Sequence, residues 1–139
     1  MSKNEPKQVI IIRADLRNLA GQKLRTGKLI AQGAHASLKA IFDNAHKLPA
    51  ESETIIYSDP GTALGLWLEG RSTKICVSCN SEQELIDLYD KAKAARLICS
   101  MVIDAGLTEF GGVPTKTAVA IGPAYPEDVD PITSHLSLL

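Results

Sequence analysis

The feature that most constrains this chain is a pair of neighbouring segments, Val9-Ile10-Ile11-Ile12-Arg13-Ala14-Asp15 and, after a basic loop, Thr26-Gly27-Lys28-Leu29-Ile30-Ala31-Gln32-Gly33-Ala34-His35-Ala36-Ser37. The first begins as an unbroken aliphatic run with no polar face, as in a strand buried on both sides. The second is rich in small residues, and Gly33, Ala34, Ala36 and Ser37 allow a helix to lie close on a sheet. On that helix, at about 100° per residue, Lys28, Gln32, His35 and Lys39 fall at roughly 0°, 40°, 340° and 20°. A narrow polar stripe therefore faces one direction near the end of a buried strand. It is either a solvated helix face or one wall of a site.

The rest of the chain continues the alternation. A loop over 16–26 carries Arg17, Lys23 and Arg25, and the first helix spans about 27–45. Residues 46–72 read as irregular, with a turn at Asp59-Pro60-Gly61 and a short helix near Leu64 to Leu68. A strand at 73–79 follows. Ser81-Glu82-Gln83-Glu84 is a capping box opening a helix to about 95. Strands are expected at 97–103 and 117–121, a short helix near 126–133, and an apolar tail at 136–139. The order β-α-β-α-β-β-α predicts an α/β domain with helices on both faces of the sheet. The tight link between the last two strands predicts an antiparallel pair, making the sheet mixed.

At 139 residues the length fits one domain, 1–139, with residues 1–7 expected to fray. No apolar run reaches the length needed to cross a bilayer, and the N-terminal residues lack the pattern of a secretory signal. The expectation is a cytoplasmic chain without a membrane partner. Cys76 and Cys79 lie inside a strand pattern, where residues three apart point to opposite faces, and no second pair follows at zinc spacing. The three cysteines are expected in the core. A net charge of −1 argues against a generic nucleic-acid coat. The charge is unevenly spread, however: residues 1–47 carry nine Lys/Arg against three acids, and residues 48–139 six against thirteen. A basic first third suits a polyanion, or reflects clustering in an exposed loop.

Two positions carry candidate chemistry. Lys28 lies in the first turn of its helix, where free N–H groups and the helix dipole favour an anion. The segment is not a P-loop, because the Gly21 to Gly27 spacing is wrong and Leu29 replaces the hydroxyl that would hold magnesium. Asp104 lies at the carboxyl end of a strand, where open α/β sheets place their ligands. It either caps its loop or serves as a base or water-orienting group facing Lys28. Thr108 and Thr117 add hydroxyls nearby. His35 is a lone helical histidine, structural or part of the polar stripe. His46 and His135 have no partner at metal spacing, and no Gly-x-Ser-x-Gly elbow is present.

At these residues the chain resembles the type-2 peptidyl-tRNA hydrolases of archaea and eukaryotes. The similarity runs through Ile11-Ile12-Arg13-Ala14-Asp15-Leu16, Thr26-Gly27-Lys28 to Ala36, Trp67 with Gly70, and Lys74-Ile75-Cys76-Val77. It continues through Asp104-Ala105-Gly106-Leu107-Thr108, Val119-Ala120-Ile121-Gly122-Pro123 and Ile132 to Leu138. The resemblance implies a three-layer α/β/α domain with a four-stranded mixed sheet, often dimeric. It implies hydrolysis of the ester joining a peptide to the 3′ ribose of tRNA, with no metal or organic cofactor and no DNA partner. The family's polar site falls here on Lys28, Gln32, His35, Asp104, Thr108 and Thr117.

On this reading Asp104 orients or deprotonates a water, while Lys28 and the helix N-terminus at Gly27 stabilise the oxyanion or a phosphate. Gln32, Thr108 and Thr117 position water and ester. Arg17, Lys23, Arg25 and Lys39 hold the acceptor-stem backbone. The chain departs from the family in a longer 16–26 loop, in Leu107 where Arg is usual, and in Glu109 where Gln is frequent. The Leu107 and Glu109 departures motivate a rival, a non-catalytic RNA- or protein-binding member of the same fold, and a third reading is an esterase for another acyl substrate.

Overall fold

The computed structural model describes residues 5–49 and 53–139. Its elements are β1 (Lys7–Arg13), α1 (Thr26–Asn44), β2 (His46–Pro49), β3 (Thr54–Tyr57), α2 (Ala63–Glu69), β4 (Lys74–Cys79), α3 (Glu82–Ala94), β5 (Cys99–Asp104), β6 (Thr115–Ala124), α4 (Pro126–Thr133) and β7 (Ser137–Leu138). The main sheet has the order β5-β6-β1-β4-β7. β1 is central, parallel to β4 and antiparallel to β6, and β5 pairs antiparallel with β6. The sheet is mixed, as expected, but it has five strands rather than four. The extra strand is β7, the apolar tail, which pairs antiparallel with β4 through Val77 and Ser78.

The aliphatic run of β1 serves two cores. Val9 and Ile11 pack with Leu85, Leu88 and Ala92 of α3 and Val129 and Ile132 of α4. Ile10 and Ile12 pack with Ala36 and Ala40 of α1. Each large buried side chain contributes roughly 1.5–3 kcal/mol from burial alone. α1 seats closely because its contact residues are small: Ala36 and Ala40 are fully buried, and a Cβ at Gly33 would stand 3.5 Å from Ile10. Gln8, also fully buried, fastens this layer. Its amide donates to the carbonyls of Ser37 (3.3 Å) and Gly122 (3.1 Å), and its Oε1 accepts the Ser37 hydroxyl.

At the start of α3, Ser81 Oγ accepts from Glu84 N at 3.0 Å. The returning Glu84 carboxylate accepts from Asn80 N at 3.3 Å, so the predicted box closes one residue early. Two expectations need correction. Residues 46–72 are not irregular: β2 and β3 form a separate two-stranded hairpin, and α2 is seated by Leu64 and Trp67, whose indole donates to Thr73 O at 2.8 Å. Pro6 is buried, Lys7 belongs to β1 and pairs with Asp130 at 2.7 Å, and residues 1–4 lie outside the described ones. Cys79 and Cys99 are buried, but Cys76 is exposed, because α1 lies over β1, β5 and β6 and leaves that face of β4 open. Burial pushes the Cys79 thiol up to about 11.

The seating of α1 is testable by overpacking. Ala36→Leu forces a larger side chain between α1 and the sheet and is expected to destabilise the protein by about 1–3 kcal/mol. Urea denaturation with an unchanged slope is the measurement. An unchanged midpoint would show that the helix is not held at this distance.

Candidate active site

The site is built where the first turns of α1 meet the end of β5. Lys28 Nζ lies 2.6 Å from Asp104 Oδ2 and 3.2 Å from Thr108 Oγ1. Gln32, one turn further along α1, donates its amide to the same Asp104 Oδ2 at 3.1 Å. Its Oε1 accepts the hydroxyl of Thr117. Asp104 Oδ1 accepts from Gly106 N at 2.6 Å. Lys28, Gln32, Asp104, Thr108 and Thr117 thus form one connected network.

Thr117 reaches it through an irregularity in the sheet. Val102 of β5 pairs with Ala118, but Ile103 pairs with Lys116, so Thr117 is an extra residue in β6. Such a bulge breaks the alternation of faces and re-aims a side chain. Ala118 and Thr117 consequently both face α1, and Thr117 is buried against Gln32. Arg13 supports the bulge by donating to Lys116 O at 2.9 Å while binding Asp15 with both Nε (3.0 Å) and Nη2 (2.7 Å). Sequence reading did not single out Arg13. Its signal was a cation inside an otherwise aliphatic strand.

The turn after β5 is equally determined. Gly106 has φ +81°, and a Cβ there would meet Val113 O at 2.2 Å, so only glycine fits. The loop closes through Gly112 N to Gly106 O at 2.7 Å, which delivers the Gly106 N–H to Asp104 and sets Thr108 beside Lys28. Phe110, another residue that sequence reading passed over, is buried against Leu16 and Leu24. Its ring centroid lies 5.8 Å from Lys28 Nζ. The 16–26 loop is thereby anchored at both ends. Its tip is a tight turn held by Asn18 Oδ1, which accepts from Ala20 N and Gln22 N at 2.9 and 3.0 Å.

Electrostatically, the Lys28–Asp104 pair is largely withdrawn from water, with side-chain exposures of 14% and 12%. The Lys28 hydrogen bond, helped by the Gly106 N–H and Gln32, holds the Asp104 carboxyl below the usual carboxylate range. The N-terminus of α1 has no side-chain cap and no acidic residue in its first turn.

The other candidates divide. Arg17 and Lys23 are exposed on the anchored loop and bridge one another through the backbone. Arg25 is exposed and pairs with the buried Glu109 at 3.0 Å. Gly27 sits in the exposed first turn of α1. His35 is exposed and joins no hydrogen bond of the network among the described residues. Lys39 is drawn to Asp43 at 2.8 Å on α1, away from the basic loop. Among the described residues no cluster of three His, Cys, Asp or Glu side chains forms a metal-ligand set.

The family profile described as "Peptidyl-tRNA hydrolase PTH2" matches residues 6–139. Over 133 residues the chain is 41% identical to the peptidyl-tRNA hydrolase of Methanocaldococcus jannaschii, covering 96% of this chain and 99% of that one. It is 42% identical over 132 residues to that of Halobacterium salinarum, covering 95% and 98%. It is 36% identical to the probable peptidyl-tRNA hydrolase 2 of Dictyostelium discoideum over 95% of this chain and 54% of that longer one. A solved protein of unknown function from Agrobacterium strain C58 shares the fold alone, with a TM-score of 0.58 at 11% identity over 97% and 98% of the two chains. With its polar network assembled by α1, β5 and β6, and with relatives matched along nearly its whole length, this chain belongs to the PTH2 family of peptidyl-tRNA hydrolases.

Proposed function

We propose that this protein hydrolyses the ester between a peptide and the 3′ ribose of tRNA, using water and its own side chains, with Lys28 supplying the positive charge that the chemistry needs. The observation that carries the reading is the Asp104 carboxylate held between Lys28, Gln32 and the Gly106 N–H. A lysine ammonium has three donors and a carboxylate oxygen about two acceptor positions. Lys28 uses two donors on Asp104 and Thr108, which leaves one for the substrate. Asp104 Oδ2 is filled by Lys28 and Gln32, whereas Oδ1 receives the Gly106 N–H and keeps a position for a water.

Water held at Oδ1 attacks the ester carbonyl. The carbonyl oxygen gains charge beside the free donor of Lys28 and the uncapped N–H groups of the first turn of α1, where preorganised donors act most strongly. Collapse of the tetrahedral species breaks the bond to the 3′ oxygen, which leaves with a proton from the water. The products are the peptide acid and tRNA. Because Asp104 is held below its usual range, it is a weak base, and each unit of depression costs proton abstraction about 1.4 kcal/mol. Its role is to orient the water and stabilise charge. Thr117 is buried and acts through Gln32 as a positioning residue. His35 receives no proton-transfer role on this geometry. Arg17, Lys23 and the N-terminal turn at Gly27 hold the phosphate backbone, and Lys39 is removed from that set.

Two departures from the family pattern offset each other. Glu109 would repel a phosphate, but the lengthened 16–26 loop brings Arg25 to it. The charge at that edge is thereby neutralised, which favours the catalytic reading over a non-catalytic member of the fold.

The test is release of the N-blocked amino acid from N-acetyl-aminoacyl-tRNA, in the presence of a chelator. Asp104→Asn and Lys28→Ala are each expected to lower kcat/KM by about 10²–10³-fold while circular dichroism stays native. Near-wild-type turnover by both would overturn the mechanism. Thr117→Val is expected to lower kcat with little change in KM, and Thr117→Ser to restore it. Arg17→Ala and Lys23→Ala should raise KM and flatten its salt dependence. An effect on kcat alone would contradict that assignment.

The pH dependence follows from the Asp104 carboxyl. Its native value is depressed, so the stability contributed by its charged form is present above the unfolded-state value and is lost as pH falls through the lower native one. Carbon-13 NMR is expected to place its titration below the usual carboxylate range. Lys28→Met should raise it, because the Lys28 hydrogen bond is the largest cause of the depression. A titration that does not move would remove Lys28 as the cause.

A further inference from the structure

The strand that ends at Asp104 is also the edge of the main sheet. Gly122 N donates to Ile98 O at 2.7 Å. The alternation of an antiparallel pair then turns the N–H and C=O of Cys99 and Met101 away from β6. A groove of about 510 Å³ runs beside this edge, with Met101 and Ile103 on its floor, Lys39 and Asp43 of α1 on one wall, and Tyr89 and Lys93 of α3 on the other. Ile103, adjacent to Asp104, is 57% exposed. Charged side chains commonly guard such edges against stray pairing. Here two of the lysines are held aside, Lys39 by Asp43 at 2.8 Å and Lys116 by Glu82 at 3.5 Å, so the backbone edge stays approachable.

We propose that this edge binds the peptide part of the substrate as an added strand, parallel to β5. The inference rests on the peptidyl-ester reading above. The acyl carbon must lie at Asp104 and Lys28, and it is the C-terminal end of the peptide. β5 also runs toward Asp104, so a peptide laid along it travels in the same direction. At roughly 3.3 Å per residue, the stretch from Cys99 to Ile103 accommodates about five peptide residues. Strand addition draws affinity from main-chain hydrogen bonds, which every peptide offers. It therefore suits a hydrolase that must accept any peptide sequence. Alternate side chains of the added strand would face the α1 wall and the α3 wall, and each wall carries both signs of charge, Lys39 with Asp43 and Lys93 with Asp90. Neither wall selects strongly for charge. The apolar groove on the other flank of α1 is separated from Asp104 by the helix itself.

The experiment keeps the protein unchanged and alters the ester. N-acetyl-aminoacyl-tRNA is compared with N-acetylpeptidyl-tRNAs of up to five alanines, and with the longest of these N-methylated at one or the other alternate set of amides. The expected result is a kcat/KM about tenfold higher for the longest peptide. Methylation of one alternate set removes that gain, and methylation of the other leaves it, since only every second amide of an added strand faces β5. Cleavage of the single-residue ester with no gain from length, or a gain equally sensitive to both methylation patterns, overturns the edge proposal and leaves the hydrolase reading standing. Failure to cleave any of the esters overturns both.

Discussion

The close seating of α1 on β5, β6 and β1 is the constraint on which the rest depends. Lys28 and Gln32 belong to the helix, Asp104 to β5 and Thr117 to β6, and they meet because the helix brings small residues, Gly33, Ala36 and Ala40, to its contact with the sheet. Ala36 and Ala40 are fully buried at the contact, and Ser100 of β5 donates to Ala36 O at 2.7 Å. Hydrogen-bond strength falls steeply over a few tenths of an ångström. The fit of the apolar layer therefore sets the geometry of the polar one. Gln8 and Ser37 lock the same helix from the opposite end of β1, with every buried polar atom of that cluster partnered.

Inside this frame the electrostatics are arranged by substitution rather than by solvent. An ion pair withdrawn from water is expensive unless its remaining valences are satisfied. Here Gly106, Gln32 and Thr108 satisfy most of them. What is left over, one donor on Lys28 and one acceptor position on Asp104, is what a reacting water and carbonyl require. The bulge at Thr117 completes the arrangement. With Thr117 fixing its carbonyl end, the Gln32 amide presents N–H and not oxygen to the carboxylate, and a reversed amide would set oxygen against oxygen.

Much of this was legible in the sequence, for identifiable reasons. The aliphatic run of β1, the small-residue face of α1 and the capping box of α3 are local patterns, and local patterns determined those elements. Of the polar stripe, the structure brings Lys28 and Gln32 to Asp104. It does not bring His35 and Lys39 there, because helical phase says which residues share a face, not how far along the helix the partner strand reaches. β5 ends at Asp104, level with the first turns of α1, and the stripe continues beyond its polar partners. The β2–β3 hairpin was missed because all of Thr54–Tyr57 is exposed, so no alternation of polar and apolar residues marks it. The bulge depends on register between two strands, which no single segment records. The sequence marks the 16–26 loop as basic but not as anchored, and Leu16, Leu24 and Phe110 hold it down. Those three are far apart in sequence and carry no pattern.

On the proposed reading, a division of labour between helix end and sheet edge lets one small domain handle a substrate with two dissimilar halves. The tRNA half is a polyanion whose charge is independent of sequence, and on the proposed reading Arg17, Lys23 and the uncapped start of α1 meet it by charge, while Lys28 keeps its free donor for the ester. The peptide half has no common charge and no common side chain; its only constant feature is its backbone. A backbone edge is the complementary surface for that feature, and β5 offers one that terminates at the carboxylate of Asp104. Both halves would then be recognised by what never varies in them, with the ester that joins them placed where the two surfaces meet. On this reading, specificity for the compound substrate would arise from requiring both contacts at fixed spacing. A free peptide or a free tRNA satisfies only one of them.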